Sequence, residues 1–225
     1  MIMVVMELIV GGGLDDYLKK NPTPPELKAS FAYDIACGLS YVHNLHCIHR
    51  DIACRNCMLD VGRKNAKLSD FGLTRRTDKY CIQDGDKLPV RWLAPEVIET
   101  KEYTTWADIY AYAILVWEIF SNGALPFGPK NNAEIKEGIK TEAFRPEIPA
   151  DTPPEAAKVM KHCWAGKADS RMALKSVMKT LAKFKKAEDK AKRSDEPSAS
   201  AEKAQAKSGV LSSVKKTRRG KKGSR

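Results

Sequence analysis

No apolar run in these 225 residues is long enough to cross a bilayer. The opening stretch MIMVVMELIV has no basic leader and meets Glu7 before spanning length, so it reads as neither a signal peptide nor a membrane helix. The later run at 109–120 is short and contains Glu118, which fits a buried core helix. Paired cysteine motifs are missing too. Of the six cysteines, at 37, 47, 54, 57, 81 and 163, only Cys54 and Cys57 have CxxC spacing, with no second pair or histidine at ligand spacing. Zinc and dithiol redox chemistry are therefore set aside in favour of reduced thiols. A dinucleotide loop is also excluded. Gly11-Gly12-Gly13 precedes Leu14-Asp15-Asp16, lacks the G-x-G-x-x-G spacing, and would set two carboxylates against a pyrophosphate.

The chain has little acidic balance overall, with a formal net charge of +11. That excess is local. Residues 185–225 hold 14 Lys/Arg against 5 Asp/Glu, leaving 25 against 23 in the first 184. A nearly neutral body argues against a specific nucleic-acid-binding domain, which carries its basic charge on the folded surface. With 43% apolar residues, the body can bury a sizeable core. From Lys185 onward, Lys, Ala, Ser and Glu show no apolar period, and a basic disordered tail is expected. Its end, KKTRRGKKGSR, suits a solvated tail, with nuclear import or an anionic membrane surface as the other readings.

Periodicity sets the remaining elements. Residues 1–6 suggest a strand, and Leu14 starts a helix. Thr23-Pro24-Pro25-Glu26 and Thr152-Pro153-Pro154-Glu155 each read as a Thr-capped helix opening. After the first, Leu27, Phe31, Ile35, Leu39 and Val42 form one apolar stripe. Short strands are expected at 57–60 and 67–69 around a GRKN turn. Thr105 is expected to cap the 109–120 helix, with further helices at 134–141, 153–164 and 171–184.

The chemistry lies in IHRDIACRN at 48–56, followed by Asp70-Phe71-Gly72. Its informative content is Asp51, Asn56 and Asp70. Phosphoryl transfer uses one carboxylate to orient and deprotonate the attacking hydroxyl, and an amide plus a second carboxylate to hold magnesium on the nucleotide phosphates. HRD-x4-N followed by DFG is the protein-kinase catalytic pair. Either tripeptide alone says little; together and in order they are specific.

Residues 1–184 accordingly resemble the hinge and C-terminal lobe of a protein-tyrosine kinase, most like the cytoplasmic Fes/Fer type. Two positions carry the tyrosine assignment. Ala53 stands where Ser/Thr kinases generally have Lys, with the cation moved to Arg55, and Lys87-Leu88-Pro89-Val90-Arg91-Trp92 resembles the tyrosine-acceptor platform. The resemblance implies a mainly α fold: a kinase-like C-terminal lobe at 1–184 with short β-strands around the catalytic loop and the N-terminal lobe largely absent, then the tail at 185–225. It implies ATP and Mg2+ as cofactors, Asp51, Arg55 and Asn56 as catalytic residues, Asn56 and Asp70 as metal ligands, and Glu7, Ile9, Met58 and Asp70 around the nucleotide, with Met6 as gatekeeper. His49 is expected to pack structurally below Phe71. Tyr80, seven residues before Lys87, is the expected phosphorylation site, with an exposed loop tyrosine as the alternative. Arg50 is its expected phosphate partner, an ordinary ion pair being the other reading. Glu96, closing Ala94-Pro95-Glu96, is expected to pair with Arg171.

The chain departs from this pattern at Cys54, Tyr110, Ala113 and Met172, where Ala, Trp, Gly and Pro are usual. These positions concern packing. More consequential, no glycine-rich phosphate loop and no V-A-I-K lysine occur in these residues. The expectation is an incomplete kinase that binds ATP weakly, or, alternatively, a non-catalytic lobe serving as a binding module. Expected partners are tyrosine-containing protein substrates and an upstream or partner kinase, and the expected location is cytoplasmic.

Overall fold

Apolar residues at helical spacing put most of the body into helices. The computed structural model describes residues 5–86 and 88–195. In chain order these form α1 (Leu14–Lys20), α2 (Pro25–Asn44), β1 (Cys47–Ile48), β2 (Cys57–Leu59), β3 (Ala66–Leu68), β4 (Arg75–Arg76), β5 (Lys79–Cys81), α3 (Pro95–Thr100), β6 (Glu102–Thr104), α4 (Thr105–Phe120), α5 (Asn132–Gly138), α6 (Pro154–Cys163) and α7 (Leu174–Asp195). The strands make three antiparallel two-stranded ladders, β1 with β4, β2 with β3, and β5 with β6. One compact unit extends through Lys186.

α4 is the pillar of that unit. Its run Ala107–Val116 is buried on every side, and it packs against α1, α2 and α6. A helix surrounded in this way must be apolar all round, and its polar exceptions are therefore informative. Tyr112 sends its hydroxyl to the Ala32 carbonyl on α2 at 2.8 Å. At the C-terminal end of α4, the buried Lys28 ammonium donates to the Phe120 carbonyl at 3.3 Å, using an acceptor that the helix itself leaves unpaired.

Several expectations need correction. Residues 5–10 adopt no regular structure, and Val5, Met6 and Leu8 are exposed, so the strand proposed for 1–6 does not form over its described part. No partner strand pairs with it among the described residues, and residues 1–4 lie outside them. Neither Thr23 nor Thr152 caps a helix; the N-caps are Pro24 and Pro153, without side-chain capping bonds. A proline cap also has no amide to receive a returning Glu, which rules out the capping box. α4 is capped by Thr104, one residue earlier than expected, whose hydroxyl accepts from the Trp106 amide. The box appears instead at α5, where Asn131 and Glu134 exchange bonds. α7 runs on to Asp195, into the stretch expected to be without structure. Lys, Ala and Glu are strong helix formers, and Lys185 anchors the helix by bonding Asp34 and Asn65. Residues 196–225, including the basic end, lie outside the described residues.

Gly11 and Gly12 tie the N-terminal segment to the site. The Gly11 amide donates to the Leu59 carbonyl at 3.0 Å, and the Leu59 amide donates to the Gly12 carbonyl at 2.9 Å. A Cβ on Gly11 would come within 2.0 Å of the Asp60 carbonyl oxygen, so only glycine allows this approach.

Candidate active site

β1 leads into the HRD turn, which α4 holds from beneath. Asp108, fully buried, accepts from the His49 amide at 2.8 Å, the Arg50 amide at 2.9 Å and His43 Nε2 at 2.9 Å. A buried carboxylate needs such donors, and here they fix the backbone just ahead of Asp51. Arg50 has φ of +72°, a left-handed conformation that the two accepted amides stabilise. The His49 ring lies 5.2 Å from Phe71, as expected for a structural residue, and burial lowers its pKa.

The loop then makes one 3₁₀ turn over Cys54–Asn56 and enters β2. That turn sets the next three side chains. Arg55 bonds the Asp51 carboxylate and stacks on Trp92, its guanidinium carbon 4.4 Å from the ring centroid. Asn56 donates through Nδ2 to the Asp51 carbonyl at 2.8 Å, which leaves its amide oxygen as the atom available to a cation. Ser69 donates through both N and Oγ to the Asn56 carbonyl, at 2.9 and 2.8 Å, and so ties the residue before Asp70 to Asn56. Asp70 is exposed in the left-handed region at φ +59°, and its carboxylate accepts from the Gly72 amide.

One carboxylate, one amide oxygen and no carboxylate cage fit magnesium held mainly through phosphates and water. No group of three or more His, Cys, Asp or Glu that could cage a metal occurs among the described residues. Glu7 pairs with Lys67, while Ile9 lies half-buried in the irregular segment. Met58, half-buried on β2, faces Gly13 across an isolated bridge. Of the residues expected around the nucleotide, Glu7 and Ile9 thus lie on the segment that Gly11 and Gly12 join to β2, and Met58 lies on β2 itself.

A protein-family comparison matches residues 1–181 to "Protein tyrosine and serine/threonine kinase". The chain belongs to this kinase family. It is 36% identical over 184 residues to Fer-related kinase 1 of Caenorhabditis elegans, covering 81% of this chain and 47% of that protein. It is 34% identical over 190 residues to tyrosine-protein kinase Fer of Rattus norvegicus, covering 82% and 23%. Ephrin type-A receptor 1 of Homo sapiens is 36% identical over 170 residues, covering 73% and 17%. The chain therefore spans less than half the length of these relatives. No helix among its described residues is long and apolar enough to cross a membrane.

In this chain the segment from Asp70 to Glu96 is pinned at both ends. β4 pairs with β1, and β5 pairs with β6 in the register Tyr80 to Tyr103. Arg50 lies over the Tyr80 ring at 3.8 Å, Tyr80 donates its hydroxyl to Asp86 at 3.0 Å, and Asp86 also receives Arg50 at 3.1 Å. The Gln83 amide, Tyr80 and Arg50 together hold the Asp86 carboxyl below its usual pKa. At the far end, Arg91 donates to the carbonyls of Pro126, Gly128 and Lys130. Glu96 meets Arg171 in a two-bond fork at 2.7 and 2.6 Å, the expected pair.

Sequence reasoning missed three carboxylates. Asp108 was visible only as a charge beside the apolar run at 109–120, Glu118 only as one inside it, and Asp86 only as a loop acid. The available signal was burial: a charge in a core helix has to answer donors. Glu118 accepts from the Cys54 amide at 3.0 Å and from the Trp92 indole at 2.8 Å, and burial raises its pKa to about 7.

Proposed function

We propose that this chain is the hinge and C-terminal lobe of a protein-tyrosine kinase that transfers the γ-phosphate of ATP to tyrosine hydroxyls of protein substrates. The observation that carries this reading is the Asp51–Arg55–Trp92 contact series, with Asn56 bonded to the same loop. Asp51 accepts the phenol proton, and Arg55 beside it keeps that carboxylate oriented while its stacking on Trp92 links base to acceptor platform. Asn56 and Asp70 hold Mg2+, which supplies charge neutralisation on the phosphates when bound. Backbone groups of Glu7 to Ile9 take the adenine edge, and Met58 lines the nucleotide site. Positioning is most of what this reaction asks of the protein.

Tyr80 is the phosphorylation site in this reading, and Arg50 receives its phosphate after Asp86 is displaced. The site of action is the cytoplasm, on tyrosine-bearing proteins and downstream of a partner kinase. Support for the tyrosine specificity comes from Ala53, Arg55 and the Pro89–Trp92 platform, and from relatives named as tyrosine kinases.

The test is transfer of phosphate from ATP to a tyrosine peptide by the 225-residue chain, with and without magnesium. Slow, magnesium-dependent transfer is expected, with Asp51→Asn lowering it by about 10²–10⁴-fold, as for a positioned base. Transfer that Asp51→Asn leaves unchanged would overturn the reading.

A further inference from the structure

Lys185 stands where the apolar period of α7 ends, and unlike Lys183 it turns inward. Its ammonium donates to the Asp34 carboxylate on α2 and to the Asn65 side-chain oxygen, both at 2.8 Å. The Lys185 and Asp34 side chains are 15% and 13% exposed, whereas Lys183 and its partner Glu155 are 60% and 32% exposed. An ion pair open to water contributes little, but one withheld from solvent can hold its parts in place.

What Lys185 holds is the turn between β2 and β3. Asp34 also accepts from the Ala66 amide at 3.1 Å, and Asn65 Nδ2 bonds Asp60, whose carboxylate takes the Lys64 and Asn65 backbone amides. A two-stranded ladder of three residue pairs is marginal on its own. Its orientation therefore comes from outside, from Gly11 and Gly12 at Leu59 and from Asp34 and Lys185 at the turn. The hairpin carries Met58 on β2, follows directly on Asn56, and ends two residues before Asp70, so its tilt sets all three.

We propose that Lys185 is a positioning residue for the nucleotide: from the last helix it fixes the closed end of the β2–β3 hairpin, and through it Met58, Asn56 and Asp70. The identity of that ligand rests on the kinase reading above. Asp34 and the Asn65 oxygen are both acceptors, and a donor between them satisfies both. Arginine can supply two such donors, whereas methionine fills the space with none.

The experiment compares wild type, Lys185→Met, Lys185→Arg and Lys183→Met as full-length chains. It reads MgATP affinity, tyrosine-peptide affinity, and the nitrogen-15 amide resonances of Ala66, Leu59 and Gly11. Removing a donor shared by a carboxylate and an amide should weaken MgATP binding in Lys185→Met by about three- to tenfold, with peptide affinity held within about twofold. The Leu59 and Gly11 amides should shift along with that of Ala66, and Lys185→Arg and Lys183→Met should bind MgATP like wild type. A Lys185→Met chain that unfolds earlier in urea but binds MgATP within about twofold of wild type would make the pair merely structural and overturn the proposal. Equal losses of MgATP and peptide affinity would mean general loosening and also overturn it. So would Lys183→Met or Lys185→Arg losing as much MgATP affinity as Lys185→Met, since the donor between Asp34 and Asn65 would then not be the cause. If wild type binds no MgATP, the kinase reading fails separately. The resonances then decide alone: a shift that stops at Ala66 overturns the coupling, and one that reaches Leu59 and Gly11 upholds it.

Discussion

Glu96→Ala is expected to destabilise the fold by roughly 3 kcal/mol, at the lower end of the 3–5 kcal/mol range for breaking a buried ion pair. The Arg171 side chain is fully buried, whereas the Glu96 side chain is 25% exposed. Without Glu96, the guanidinium keeps bonds to the carbonyls of Ala165, Trp106 and Gly166 and remains 5.2 Å from the Tyr110 ring. These contacts soften the loss but leave the charge uncompensated, which places the cost near 3 rather than 5. For a domain of this size that corresponds to a fall in Tm of about 6–12 °C. Arg171→Lys should be nearly as damaging, because an ammonium cannot reproduce the two-bond fork. Replacing both partners, as Glu96→Leu with Arg171→Met, should recover part of the loss, since the pair's own net value is small once desolvation is counted. Urea unfolding of wild type, Glu96→Leu, Arg171→Met and the double variant gives the coupling energy directly. A Glu96→Ala cost below about 1 kcal/mol with an unchanged denaturant slope would refute the reasoning, because it would mean the cation finds water or other partners at no cost.

Asp108→Asn should cost about 2–4 kcal/mol and lower phosphate transfer, because its amide nitrogen would face one of the two backbone donors, His49 or Arg50, which bond different carboxylate oxygens; a stability within about 0.5 kcal/mol of wild type by urea unfolding counts against this. Asp86→Asn should raise the rate at which an active kinase modifies Tyr80, by loosening the hydroxyl and freeing Arg50. Phosphopeptide mapping checks it, and unchanged labelling of Tyr80, or labelling confined to Tyr17, Tyr33 or Tyr103, contradicts it. Glu118 has a folded pKa raised from 4.5 to about 7 by burial, with Asp15 opposing and Trp92, Cys54 and Arg55 favouring its charged form. A raised pKa means that its contribution to stability is fully present below pH 4.5 and is lost as pH rises through 7, to a total of roughly 3 kcal/mol. The stability difference between Glu118→Gln and wild type should therefore grow from pH 4.5 to 7 and then level off. This comparison cancels the opposite trend from His49, whose lowered pKa adds stability above pH 6.5 that is lost as pH falls. A flat difference would show that the carboxyl is not titrating where burial puts it.

The candidate catalytic residues were the most legible in the sequence, because HRD-x4-N and DFG fix residue types at fixed spacing. The Glu96–Arg171 pair and the His49–Phe71 contact also followed from the resemblance, and both appear in the fold. Features that depend on a choice between neighbours were less legible. Thr104 and Thr105 are both competent caps, and nothing local tells which adopts the extended backbone of an N-cap. Pro24-Pro25 hid the true cap, because a threonine before two prolines looks like a capping box until the missing amide is considered. The strand expected at 1–6 followed from the resemblance together with an apolar, β-branched composition over 1–10, neither of which says whether a partner strand is present to pair with it. α7 outlasted its apolar stripe because propensity and the Lys185 anchor continue where hydrophobic period ends. Asp86 could not be found from sequence at all, because its role arises only when the segment folds back on Arg50.

The two buried acids on α4 act on one loop, and their spacing explains why neither looks functional in sequence. Asp108 and Glu118 are ten residues apart on one helix, about 15 Å along its axis. Asp108 holds the amides of His49 and Arg50, and Glu118 holds the amide of Cys54. The five peptide steps from His49 to Cys54 reach at most about 17 Å when extended, a length of the same order as the separation of the anchors. The stretch carrying Asp51 is thus held at both ends by a single helix. Rigidity of α4 then becomes a condition for the position of Asp51, and its apolar surround on α1, α2 and α6 supplies that rigidity. Packing changes such as Tyr110 and Ala113 lie between the two anchors, two and five residues after Asp108. Such changes reach the base only by altering the separation of Asp108 and Glu118, so a core substitution on α4 that preserves helix geometry should leave the loop in place even where it lowers stability.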